Sequence, residues 1–268
     1  MTLLKYIILG IIQGITEPLP ISSSGHIFIV KELFKTSFFN DLNFEIFVNF
    51  ASFIAILIIF WKDVIKLIKG FFCYIFNRDK NSFNDFKYCL LIIIGSIPVG
   101  ILGVLFKDEI ETTLNKTWIV GIMFIVTAIA LLLVKNSNGK KGDYEITYKD
   151  AVIIGLMQAI ALFPGLSRSG MTLVGCLLCK LDREASLKYT FMLYFPVSMA
   201  TMVLGVKDVM ETQISGSILG YYFVGMLFAF IFTYFTYKIL SDIVKRGKLW
   251  KFSIYLFIIG ILTLIYFL

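Results

Sequence analysis

Apolar residues run almost unbroken through several long stretches of the chain, and polar residues gather between them. Residues 88–106 (YCLLIIIGSIPVGILGVLF), 118–134, 189–206, 214–237 and 252–268 each approach or exceed the ~17–25 residues that a spanning helix needs. Residues 46–61 form a weaker run, softened by Asn49 and Ser52. Two further apolar stretches are too short and too broken to span. In one, residues 7–12 lead to Pro18 and Pro20 and then to residues 22–30. In the other, residues 151–163 lead to Pro164 and Gly165 and then to residues 166–179. Proline cannot continue the helix hydrogen-bond ladder, so each stretch reads as two half-length helices joined by a turn. Such a re-entrant hairpin is tolerated at membrane depth only where protein buries it or where it lines a cavity.

Displaced by 145 positions, the chain matches itself. Gly10, Gln13, Ile15, Ser22, Ser24 and Gly25 meet Gly155, Gln158, Ile160, Ser167, Ser169 and Gly170, and Lys62-Asp63-Val64 meets Lys207-Asp208-Val209. The register persists across separate blocks, which marks a duplicated unit. Three spans follow each hairpin, and three is odd, so the second unit enters the membrane upside down. The expected fold is an all-α polytopic membrane protein of two inverted-topology repeats, each a re-entrant helical hairpin plus three transmembrane helices. Repeat 1 covers residues 1–135, with a hairpin at about 5–31 and spans at about 46–61, 88–106 and 118–134. Repeat 2 covers residues 147–268, with a hairpin at about 151–180 and spans at about 189–206, 214–237 and 252–268. Together they make one integral membrane domain.

Composition agrees: 58% of the 268 residues are hydrophobic and 16% charged, with mean hydropathy +0.86, against about 25% charged in soluble domains. The net charge of +7 reflects topology and calls for no nucleic-acid partner. The connections at 62–87, 135–149, 180–188 and 238–251 hold 6, 4, 3 and 5 Lys or Arg, whereas those facing the other side hold six in all. The positive-inside bias puts the crowded side in the cytoplasm and both termini outside. Trp61, Trp118 and Trp250 fall at span ends, as interfacial aromatics should. No removable leader is expected, because Gln13 and Glu17 follow the first apolar run where a small-residue cleavage site would stand. Cys176 and Cys179 form a CxxC in an apolar segment without a second cysteine pair or nearby histidine in sequence, which reads as packing.

With opposite entry, the hairpin tips at 17–26 and 164–172 can meet near mid-membrane. Short helices begin after each proline turn at Ser22-Ser23-Ser24-Gly25 and Ser167-Arg168-Ser169-Gly170. Serine is a favoured N-cap, and a helix start exposes unpaired N–H groups at its positive end. Two facing helix starts make an anion site. Arg168 adds a planar fork suited to phosphate oxygens. The hydroxyls of Ser22, Ser23, Ser24, Ser167, Ser169 and Thr172 are further donors. Glu17 needs a cation or a proton to justify it, and Gln13 lies one turn earlier on the same face, so the two could present oxygens to a divalent ion. His26, three residues after Ser23, could activate that serine or protonate a leaving group. Structural alternatives are caps for Ser22 and Ser169, a hydrogen bond from His26 to a neighbouring helix, an ion pair of Glu17 with Arg168, and a bracing role for Gln13, which recurs as Gln158. This set of residue types suits phosphoryl hydrolysis better than simple binding.

The segments QGITEPLPISSSGH and PGLSRSGMT resemble the motifs of the undecaprenyl-diphosphate phosphatase family, which is linked to bacitracin resistance, and the resemblance extends over essentially the whole chain. It implies removal of the terminal phosphate from a C55 polyprenyl diphosphate at the outer face of the bacterial cytoplasmic membrane, with Mg2+ or Ca2+ as cofactor. The implied partners are this lipid substrate and the surrounding membrane lipids. It assigns Glu17 and Gln13 to the acidic motif and the metal, Ser23 as nucleophile, His26 as its general base or acid, and Arg168 as the diphosphate clamp. Ser22, Ser24, Ser167, Ser169 and Thr172 would be supporting phosphate contacts. Two positions depart from the family pattern. Gln13 stands where many members have a second glutamate, and Pro18 stands where an aromatic residue is expected. Read without the resemblance, the inverted repeat leaves open an ion-coupled secondary transporter, and it also leaves open a phosphatase that carries its lipid product across the bilayer.

Overall fold

The computed structural model describes residues 2–34, 42–106, 116–211 and 216–268. Among them are eleven α-helices: α1 (Thr2–Thr16), α2 (Ser23–Phe34), α3 (Leu42–Ile59), α4 (Trp61–Asn77), α5 (Phe83–Leu105), α6 (Thr117–Leu133), α7 (Tyr148–Ile160), α8 (Arg168–Leu178), α9 (Arg183–Glu211), α10 (Gly216–Lys245) and α11 (Trp250–Phe267). Single 3-10 turns sit at Lys80–Ser82 and Asp143–Glu145. By length and composition, three of the described helical stretches (the α5, α10 and α11 regions) could cross a membrane. The bent pair α3–α4 supplies a fourth if counted as one span, and α6 is a shorter apolar helix of 17 residues. Among the described residues the regular structure is all helical, and the chain is a multi-pass membrane protein.

Each long helix sorts its residues by face. On α5, Leu91, Gly95 and Val99 are buried while Ile93, Ile97, Ile101 and Val104 are exposed. An exposed apolar stripe at helical spacing is what lipid contact requires. On α11, Leu256, Gly260 and Thr263 turn inward and Ile254, Ile258, Ile261 and Ile265 turn outward.

Glycines set how closely the helices approach. A Cβ on Gly10 of α1 would lie 2.2 Å from the carbonyl oxygen of Gly225 on α10, and one on Gly155 of α7 would lie 2.4 Å from that of Gly95 on α5. Gly121 of α6 and Gly260 of α11 face each other in the same way, at 3.1 and 2.8 Å. Small residues permit such backbone contact in membranes, where dispersion replaces the hydrophobic drive. The first helix of each hairpin therefore packs on a helix from the other half of the chain.

Two elements differ from the sequence expectation. Residues 62–87, expected as a basic connection, contain α4, which leaves α3 at 76°. Its sequence, WKDVIKLIKGFFCYIFN, alternates lysine and apolar residues at helical spacing, and Leu67 and Gly70 face inward. Residues 238–245, assigned to the last basic connection, instead extend α10 to Lys245. Both follow from reading charge as an end of structure, when the long stems of lysine allow a helix to continue past the apolar run.

Candidate active site

The α1–α2 and α7–α8 hairpins touch at their tips. The Ser169 hydroxyl donates to the Leu19 carbonyl at 3.0 Å. A Cβ on Gly25 would come within 3.2 Å of the Gly165 Cα, and one on Gly170 within 3.3 Å of the Pro20 Cβ. The two helix starts are built alike. The Ser22 hydroxyl accepts from the Gly25 N–H at 3.3 Å and the Ser167 hydroxyl accepts from the Gly170 N–H at 3.1 Å. Ser22 and Ser24 share a hydroxyl contact of 3.3 Å, and so do Ser167 and Ser169. Ser22 holds φ +70°, a left-handed conformation that costs a non-glycine residue about 1–2 kcal/mol.

Between the tips lies a cavity of about 390 Å3. Glu17, Ser22, Ser23, Ser24, Ser167, Arg168, Ser169 and Thr172 all line it. Glu17 is the hub. Its Oε2 accepts from the Ser23 hydroxyl at 2.5 Å and from the Gln13 amide at 3.1 Å, and its Oε1 accepts from Arg168 Nη2 at 2.9 Å. The Glu17 side chain is 7% exposed and that of Arg168 is 29% exposed, so the cation reaches further into the cavity than the carboxylate. Arg168 also donates to the Ser198 hydroxyl at 3.3 Å, and its guanidinium lies 4.6 Å from the centre of the Tyr194 ring. A guanidinium fixed on three sides is pre-aimed for an anion. The Thr172 hydroxyl turns back to the Arg168 carbonyl at 2.8 Å, which braces the first turn of α8.

Two residues sit differently from expectation. His26 is not on Ser23. Its Nδ1 meets the Ser22 carbonyl at 2.7 Å, its Nε2 meets the Tyr255 hydroxyl at 2.7 Å, and its ring stacks on Tyr255 at 5.7 Å. Ser23 opens α2, and the turn leading into it aims its hydroxyl back toward the end of α1. The three-residue step to His26 carries the imidazole away toward α11. Gln13 likewise turns its amide nitrogen, not its oxygen, to Glu17, and donates again to Asn49 Oδ1 at 2.6 Å. Gln13 is therefore a brace for the carboxylate.

Sequence reading passed over Asn49, Tyr194 and Ser198 as site residues. Asn49 registered only as a flaw in an apolar run. Thr190, Tyr194, Ser198 and Thr201 line the cavity from α9, and the sequence signal was their spacing of four, four and three, one helical face inside a stretch read as a lipid span.

The donor set bears on a divalent ion. No three His, Cys, Asp or Glu side chains gather among the described residues. The single carboxylate already has a partner on each oxygen. That does not fit a cation held by protein alone. It does fit one held by a carboxylate, water and substrate phosphates together, the usual manner of Mg2+.

A family model described as "Bacitracin resistance protein BacA" matches residues 6–262. Undecaprenyl-diphosphatase 2 of Bacillus thuringiensis is 41% identical over 98% of this chain and 97% of its own length. The undecaprenyl-diphosphatase of Oceanobacillus iheyensis is 42% identical over 99% of this chain and 97% of its own. Undecaprenyl-diphosphatase 1 of Bacillus licheniformis is 37% identical, covering 99% and 98%.

Proposed function

The chain belongs to the family of the bacitracin resistance protein BacA, and from that membership and the site we infer that it is an undecaprenyl-diphosphate phosphatase whose nucleophile is Ser23 and whose general base is Glu17. It hydrolyses a polyprenyl diphosphate in a bacterial membrane, which supports cell-wall synthesis and bacitracin resistance. The observation that carries the mechanism is the position of Glu17 between the Ser23 hydroxyl and the Arg168 guanidinium.

Glu17 Oε2 takes the Ser23 proton as the serine oxygen bonds to the terminal phosphorus. The bond from that phosphorus to the bridging oxygen breaks, and undecaprenyl phosphate leaves. Water then attacks the phosphorus of the phosphoserine, the bond from that phosphorus to the Ser23 oxygen breaks and Glu17 returns its proton to that oxygen, while one water proton stays on the departing inorganic phosphate and the other passes to solvent. Throughout, Arg168 and the N–H groups opening α2 and α8 hold phosphate oxygens, where fixed donors in a water-poor cavity act most strongly. Glu17 is the residue that would hold a divalent cation, which would supply further charge neutralisation at the phosphate oxygens. The lipid tail needs no enclosed pocket, because it can stay in the bilayer beside the exposed apolar faces.

The inverted repeat is part of this reading. Its support is the exchange of partners already described, in which Gly10 meets Gly225 as Gly155 meets Gly95, with Gly121 and Gly260 meeting each other. Ser23 and Arg168 are mates at the 145-residue offset: one helix start carries the nucleophile, its twin the clamp. The outward-opening hairpin then presents the site to the external face.

Phosphate release from undecaprenyl or farnesyl diphosphate by purified protein, with Mg2+, Ca2+ or EDTA, is the test. Ser23→Ala, Glu17→Gln and Arg168→Ala should each lose about 10²-fold or more. Arg168→Lys should recover part of that loss, because an ammonium cannot make the two-pronged contact. Turnover of Ser23→Ala near wild type would replace the phosphoserine with direct attack by water.

A further inference from the structure

Gln158 stands out on the cavity wall. It is 1% exposed, it lines the cavity, and neither its amide nitrogen nor its amide oxygen has a hydrogen-bond partner. A buried polar group left unpaired opposes folding, so such a group in a native site calls for an explanation.

The duplication shows how the amide came to lack a partner. At the equivalent place in the first half, Gln13 donates to Glu17 and to Asn49. Counting 145 residues on, those partners become Leu162 and Tyr194. Leu162 offers no acceptor, and Tyr194 faces the Arg168 guanidinium. The second half has kept the amide and lost both groups it would brace.

The rest of the cavity decides what the amide can meet. Its polar lining is rich in donors: Arg168, two helix starts and a set of hydroxyls. Its one carboxylate, Glu17, is occupied on both oxygens. A ligand that suits this lining is rich in acceptor oxygens and poor in donors, as a diphosphate is.

We propose that Gln158 is a substrate-binding residue that donates its side-chain amide to an oxygen of the bound diphosphate. This rests on the phosphatase reading above. A hydrogen bond to a charged group is worth about 10- to 100-fold in affinity, and it is present in both the ground state and the transition state, so its loss acts on KM.

The test compares wild type, Gln158→Leu and Gln158→Glu in two assays. In steady-state phosphate release from farnesyl or undecaprenyl diphosphate, Gln158→Leu should raise KM about 10- to 100-fold with kcat within threefold. Gln158→Glu should raise it further, because a carboxylate repels the anion. In thermal unfolding without ligand, Gln158→Leu should equal or exceed wild type, since an apolar group replaces an unpaired amide. Inorganic phosphate should stabilise wild type and lose much of that effect in Gln158→Leu. An unchanged KM, or a lower unfolding temperature with full phosphate stabilisation, would overturn the proposal and mark the amide as structural. Wild type without phosphatase activity would sink the function itself, and the phosphate-dependent unfolding would still decide whether Gln158 binds an anion.

Discussion

At the residue scale, the site separates two side chains that lie only three positions apart. Ser23 is bonded to Glu17, and His26 is bonded to the Ser22 carbonyl and the Tyr255 hydroxyl. On this geometry the imidazole is expected to act on the conformation of the tip and not on the serine proton. Its bond to the Ser22 carbonyl falls on the residue with φ +70°, and its bond to Tyr255 ties α2 to α11. His26→Ala should thus cost less than about tenfold in phosphate release, the scale of one or two ordinary hydrogen bonds. Tyr255→Phe should give a similar but smaller loss, and the double variant should be less impaired than the product of the two. A loss in His26→Ala as deep as that in Ser23→Ala, with Tyr255→Phe unaffected, would return His26 to the proton-transfer step. Sequence alone could not make this distinction. Spacing within one short helix gives the face a side chain occupies, but the acceptor lies on another element, and α1 brings Glu17 to Ser23 from outside that helix.

At the element scale, much of the architecture was legible because lipid enforces it. Long apolar runs had to be helices, and prolines at 18, 20 and 164 had to interrupt the short ones. What stayed hidden were the features set by contact. The α4 helix and the last turns of α10 are charged enough to read as connections, and the polar face of α9 was masked by its apolar average. Helix partners were equally hidden, since a glycine announces close approach without saying to what. That gives a controlled prediction. Gly155→Ala forces a Cβ against the Gly95 carbonyl, whereas a Cβ on Gly100, on the same α5, meets nothing within 4 Å. Gly155→Ala should cost about 1–3 kcal/mol of stability and lower the apparent Tm in detergent. Gly100→Ala should match wild type. Equal unfolding temperatures for the two would mean that the α5–α7 contact carries little of the fold.

At the scale of the whole molecule, the duplication and the charge pattern make one joint claim. If the second half is inverted, residues at corresponding places must emerge on opposite sides, and the basic ends must share the cytoplasm. The described structure knits several of those basic ends together. Lys188 pairs with both Asp63 and Asp143 at 2.7 and 2.8 Å, Lys245 pairs with Glu184, and Arg183 donates to Asn138. Residues from four separate connections thus lie at one end of the bundle, where basic residues of uniform topology should be. Lys80 belongs to that end by its place between α4 and α5. Lys116, just before α6, should lie at the other end. In a background with Cys73, Cys89, Cys176 and Cys179 replaced, a membrane-impermeant maleimide should label Lys116→Cys and Leu268→Cys in intact cells. It should reach Lys80→Cys and Asn138→Cys only after permeabilisation. Labelling of all four from outside would refute the odd-span inversion. The reverse pattern would keep the inversion but turn the active-site hairpin to the cytoplasm, where the tip holding Ser23 and Glu17 would meet a diphosphate on the inner leaflet.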